Sequence, residues 1–197
     1  MLSAEKIEKN YKLFVTLCNK LGDRSEPINK MIEHLDERLA FSPASSRLAF
    51  HAAYPGGFIE HSLNVLRNAR KLNDIYEFNI PLDSLIVASL FHDLGKVGDL
   101  NEPLYLDQDS DWHREKLGQM YKINENIQKM PNAERGLWLL QHFGVKLTLD
   151  EWIAIRTNDG PIAEENRVYA MCEPKLAIIV HQADRMACEQ EKDIAKS

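Results

Sequence analysis

The sequence predicts an all-α fold, a bundle of helices forming a single compact domain, on three observations. Apolar residues recur at spacings of three and four through most of the 197-residue chain. The periodic stretches are separated by Pro and Gly, at Pro43, Pro55-Gly56-Gly57, Pro81, Gly144 and Pro174. No stretch alternates apolar and polar residues persuasively enough to read as a strand. With 44% hydrophobic and 27% charged residues, the chain has the balance of a globular protein, and its length suits one domain of ordinary size.

Ser3 caps a first helix whose apolar positions Ile7, Tyr11, Phe14, Val15, Cys18 and Leu21 lead to Gly22. Ser25, with Pro27 just inside, starts a second, carrying Ile28, Met31, Ile32, Leu35 and Leu39 until Pro43 breaks it. His34, near its apolar face, is read as structural. A short helix presents Arg47 and His51 on one face before the Pro55-Gly56-Gly57 turn, and a long helix follows with Phe58, Val65, Leu66, Ala69 and Leu72. His61 sits in its first or second turn. Asp83 or Ser84 caps the next helix, Leu85 to Leu94, which is apolar nearly all round and closes at Gly95 as a left-handed terminus. Gly98 to Asp111 is irregular and acidic, the candidate mobile loop, before a helix from Trp112 to about Ile123. Asn132 to Phe143 forms a helix ended by Gly144, and Thr148 with Glu151 makes a capping box for a helix running to about Thr157. Asn158-Asp159-Gly160-Pro161 is a turn. Pro174 opens the last helix, Lys175 to about Glu189, again strongly apolar.

Composition excludes several classes. The longest strongly apolar runs, Leu85 to Leu90 and Leu176 to Val180, fall far short of the roughly 20 residues of a membrane span. The N-terminus lacks an apolar signal core, which leads us to expect a cytoplasmic protein. Cys18, Cys172 and Cys188 are odd in number and widely spaced, as expected of reduced structural thiols. A net charge of −6 disfavours a nucleic-acid backbone and favours a small substrate.

The two most apolar helices nevertheless carry ionisable residues: His92-Asp93 near the end of one, Asp184 in the middle of the other. Singly, each has an ordinary explanation, such as pairing of Asp184 with Arg185. Two carboxylates near the centre of a small domain need cations or several donors, because an unpaired buried carboxylate costs several kcal/mol. A divalent metal meets that demand.

In order along three helices stand His61, FHDLGK (Phe91 to Lys96) and HQADR (His181 to Arg185). This arrangement resembles the HD superfamily of metal-dependent phosphohydrolases. The resemblance covers roughly Arg47 to Glu189: HAAYPGGFIEHSLNV (His51 to Val65) looks like the first metal-histidine segment, and LFHDLGK carries the pair that names the superfamily. Residues 1–46 then form a helical extension packed on a core of residues 47–197. The resemblance implies that His61, His92, Asp93 and Asp184 ligate the metal. Two His and two Asp suit Mn, Fe, Co, Ni or Zn better than Ca or Mg alone, although Mg is compatible.

A bound dication lowers the pKa of its water towards about 7 and neutralises charge on a phosphoryl oxygen. Attack of the resulting hydroxide on phosphorus is the expected reaction, with Asp93 and Lys96 in catalytic roles and Lys96 on phosphate. Arg47, His51, Arg114 and Lys116 are candidate phosphate contacts. Tyr105 and Trp112 are aromatic residues able to stack a base, though packing is the commoner use of such residues. His113 and His142, falling between Asp93 and Asp184, resemble the additional ligands of two-metal HD proteins, so one or two ions are expected. The leading expectation is hydrolysis of a small phosphorylated substrate, a nucleotide or deoxynucleotide. A 3′-to-5′ nuclease, a di-iron oxygenase that would require His113 and His142, and a non-catalytic nucleotide sensor are the alternatives. Self-association, for which the N-terminal amphipathic helices offer a surface, is also compatible with the resemblance.

Overall fold

The computed structural model describes residues 2–160 and 163–196, with side chains as far as Lys192. The fold is all-α apart from one small ribbon. Its helices are α1 (Ala4–Cys18), α2 (Ser25–Leu35), α3 (Glu37–Phe41), α4 (Gly57–Ile75), α5 (Leu82–Phe91), α6 (Asp111–Leu117), α7 (Asn132–His142), α8 (Leu149–Arg156) and α9 (Lys175–Lys196). Short, tighter helical stretches stand at Gly22–Arg24, Leu94–Val97 and Glu164–Tyr169. No described helix is long and apolar enough to cross a membrane.

The centre is a packed trio. α4 lies most extensively against α9 and next against α5, and α8 closes the other side of α5 and α9. α5 is buried on every side from Leu85 to Phe91, as its uniform apolarity requires. α1 adds Phe14, whose ring meets Phe91 edge-on at 5.9 Å and Phe58 at 6.5 Å.

Charged residues fix the edges of this core. The Arg24 guanidinium donates to both carboxylate oxygens of the fully buried Glu151 at 2.9 Å. Glu151 also accepts from Ser84 Oγ and from the Thr148 amide, the latter as half of a capping box on α8. Ser84 is therefore engaged with Glu151, and Pro81, not Asp83 or Ser84, precedes the first turn of α5.

Several expectations need correction. The second helix is two: Asp36 takes a positive φ of 45° and redirects the chain, so that Arg38 on α3 donates to the carbonyls of Asp99 and Leu100 at 3.0 Å. His34 approaches the same Leu100 carbonyl at 2.8 Å, the partner that its sequence context did not reveal. No helix carries Arg47 and His51. Residues 42–56 are irregular because their backbone groups bond elsewhere, Leu48 N–H to Gly118 and Ala44 N–H to Ala52. The stretch from Trp112 to Ile123 is not one helix. Gly118, in the left-handed region, ends α6, and the chain returns as β2 (Tyr121–Ile123), antiparallel to β1 (Tyr105–Asp107).

Gly95 is not a left-handed terminus. A Cβ there would stand 2.0 Å from the Asn132 carbonyl oxygen, so glycine is needed for the close approach of α7. Gly136 completes that contact from the α7 side. The last helix runs seven residues beyond Glu189, to Lys196. The Asn158–Gly160 part of the expected turn is present, with Gly160 at φ 82°, and Pro161 lies outside the described residues.

Candidate metal centre

The start of α4 places the first histidine. Gly57 has no room for a side chain, since a Cβ would fall 2.1 Å from the Ala52 carbonyl oxygen. The irregular segment therefore presses onto the helix, bringing Ser45, Ser46 and His51 beside the next turn. His61 follows one turn later, fully buried.

His61 arrives from α4, His92 and Asp93 from the end of α5, and Asp184 from the middle of α9. Their reactive atoms converge. His61 Nε2 is 2.9 Å from Asp184 Oδ1 and 3.9 Å from Asp93 Oδ2, while His92 Nε2 is 3.4 Å from Asp93 Oδ2 and 3.8 Å from Asp184 Oδ1. His61, His92 and Asp184 form a group whose ligand atoms all lie within 4.8 Å of one another.

Both rings are oriented through their other nitrogen. His92 Nδ1 lies 2.8 Å from the Ser89 carbonyl, so it carries the proton, and His61 Nδ1 faces Glu191 Oε2 at 3.1 Å. Among the described residues, each Nε2 is buried and faces carboxylate oxygens alone. Two such nitrogens turned towards two carboxylates are costly in a core unless a cation joins them, and a divalent metal fits the donor set.

The electrostatics are those of a metal-free cage. Burial opposes a charge on His61, but Asp184 and Glu191 outweigh it and raise its pKa to about 9. Burial likewise opposes ionisation of Asp184, yet His61 and His92 bring it down to about 2. Asp93 is buried too, and Lys96 foremost among its neighbours holds its carboxyl well below the ordinary range. Lys96 Nζ lies 2.6 Å from Asp93 Oδ2 and stays charged despite its burial.

A cavity of about 350 Å³ opens over Asp93, Asp184 and Lys96. Ser45, Ser46 and His51 form one wall, Tyr105 another, and Arg185 and Lys192 add positive charge. His51 Nδ1 lies 3.3 Å from Cys188 Sγ, and burial and the neighbouring His61 lower its pKa to about 4.

Other sequence candidates stand elsewhere. Arg47 is exposed and bridged through its backbone to Gln119. Trp112 is 59% exposed, Lys116 is exposed, and Arg114 is engaged with Asp111 and the Gln108 carbonyl. His113 bonds Ser110, and His142 stacks near Trp138 and Phe143; among the described residues neither joins a group of three metal-ligand side chains.

Three contributors escaped the sequence reading. Glu191 follows Asp184 by seven residues, with Cys188 between, so helical spacing along α9 puts all three on one face. Asp159 lines the cavity, its carboxyl raised by burial and by Asp93. Asn158 Nδ2 donates to the His92 carbonyl at 3.0 Å and so ties the end of α5 to the α8 turn.

A family model described as the HD domain matches residues 58–188, about two thirds of the chain. No curated protein and no solved structure matches it.

Proposed function

The chain belongs to the HD domain family of metal-dependent phosphohydrolases, and from that membership we propose that it hydrolyses a small phosphorylated substrate, a nucleotide or deoxynucleotide, with metal held by His61, His92, Asp93 and Asp184. The observation that carries this reading is the convergence of two buried, oriented His Nε2 atoms with two carboxylates at the floor of a cavity that also contains Lys96. A divalent transition ion, when bound, supplies an activated water and neutralises charge developing on phosphoryl oxygens.

The chain's own residues do the rest. Glu191 and the Ser89 carbonyl hold the imidazoles in place. Lys96, released in part from Asp93, offers its ammonium to the phosphate, and Arg185 and Lys192 at the cavity wall give further positive charge to an anion. Asp159, with its raised pKa, is suited to deliver a proton to the leaving oxygen. A cavity of about 350 Å³ in a chain of net charge −6 favours a small substrate over a nucleic-acid strand.

The test is release of phosphate and pyrophosphate from a panel of ribo- and deoxynucleotides, with Mn, Co, Ni or Mg added back to chelator-treated protein. Metal-dependent release from one class identifies the substrate. Silence across the panel, with cleavage of a single-stranded oligonucleotide instead, would replace this reading by the nuclease one.

A further inference from the structure

A second concavity, about 480 Å³ and larger than the one over the metal centre, lies between α1 and α4. Its character differs from the rest of this acidic chain. Lys6 and Lys9 from α1 face Arg67 and Arg70 from α4 across it. Among the described residues Lys6, Lys9 and Arg70 make no ion pair, and Arg67 is engaged only with the neutral Asn64, at 3.0 Å. Glu60, the acid that lines the groove, accepts a hydrogen bond from the Tyr54 hydroxyl at 2.7 Å. Positive charge is therefore in clear excess.

A solvated charged face would account for the cations alone. It does not account for Asn10, which lines the same groove, is only 7% exposed, and has an Nδ2 with no hydrogen-bond partner. A buried amide donor without an acceptor is costly to the fold and calls for a polar partner, which a bound ligand would supply. Leu13, Leu17, Leu63 and Leu66 complete the lining with an apolar wall. The groove thus offers cations and an amide donor beside a surface suited to a flat apolar group.

We propose that the α1–α4 groove binds a small phosphorylated molecule with an apolar body, a nucleoside di- or triphosphate being the fitting class, at a site separate from the metal centre. The phosphates meet Lys6, Lys9, Arg67 and Arg70, the apolar body lies on the leucines, and Asn10 supplies an amide donor. These four cations share one concavity in a chain of net charge −6, which fits a compact anion better than a polymer.

The test is calorimetric titration of the chelator-treated, full-length protein with ATP and with inorganic pyrophosphate. ATP is expected to bind without metal, pyrophosphate more weakly because it lacks the apolar body. The Lys9→Glu/Arg70→Glu double variant should weaken ATP by about tenfold or more while leaving phosphate release at the metal centre unchanged. Asn10→Asp, checked by circular dichroism for an intact fold, should weaken it as well. Absence of metal-free binding, or ATP binding indifferent to the double variant, overturns the proposal. Binding of a single-stranded oligodeoxynucleotide that the double variant abolishes, with none of ATP, would assign the groove to nucleic acid and overturn it equally. Binding is read here without metal or turnover, so failure leaves the hydrolase reading standing, and the reverse also holds.

Discussion

Glu191 Oε2 stands 3.1 Å from Nδ1 of His61, two helical turns beyond Asp184. Asn64 Nδ2 steadies the same carboxylate at 2.8 Å, so the ring has little freedom to turn its Nε2 away from Asp184. Glu191→Ala is expected to lower metal affinity by about 10- to 100-fold, the usual penalty for losing such an outer partner. Titration with Mn measures it, and an unchanged affinity would reduce Glu191 to a packing residue.

Asp93 and Asp184 face the same pair of nitrogens, and each holds its charge through them or Lys96. Asp93→Ala should abolish metal binding and phosphate release together. Activity retained by that variant after metal stripping would sink the assignment.

His61 in the metal-free protein has a pKa of about 9, above its ordinary value, because Asp184 and Glu191 outweigh its burial. Its raised pKa contributes stability that is fully present below the ordinary histidine range and is lost as pH climbs through about 9. A metal must displace that proton. Apparent Mn affinity should therefore rise between pH 7 and 9, by up to about tenfold per pH unit, and level off above. Calorimetry at a series of pH values checks the slope; a flat profile contradicts it.

Gly95 touches the backbone of α7 so closely that Ala would press its Cβ against the Asn132 carbonyl oxygen. Backbone cannot yield there as a flexible side chain would. Gly95→Ala should cost about 1–3 kcal/mol in urea unfolding, and, because the residue sits two positions after Asp93, it should weaken metal binding as well.

Arg24 is the cation on the buried Glu151. Arg24→Met should destabilise by about 3 kcal/mol, since it leaves a carboxylate in the core. The double change Arg24→Met/Glu151→Met is expected to recover much of that loss, and denaturant midpoints of the two variants decide between pairing and mere packing.

What the sequence made legible was whatever repeats or caps locally. The Thr148–Glu151 capping box, the Ser3 cap and the long apolar face of α4 needed no tertiary information. The break at Asp36 was hidden because the groups that Arg38 meets beyond it are carbonyls about 60 residues away. Strands of three residues are too short to display a period of two, so the ribbon beside Tyr105 escaped notice. At the candidate site, His92, Asp93 and Asp184 stood out as ionisable groups in strongly apolar helices, whereas His61 was picked out by the resemblance. Glu191 did not stand out, because it lies past the point where the apolar pattern of α9 fades, and Asp159 was read only as a turn former. His51 was placed near the site for the right neighbourhood but on the wrong structure, since irregular backbone and not a helix delivers it.

The family match starts at residue 58, yet Phe14 fills the space between Phe58 and Phe91, and Arg24 and Arg38 hold α8 and the chain segment after the His92-Asp93 pair. Homology and packing therefore draw different outlines on the same molecule. A fragment cut to the matched segment would retain every proposed ligand and lose the scaffold's keystone: its central helix would meet water along one flank, and an acid from its interior would have no counterion.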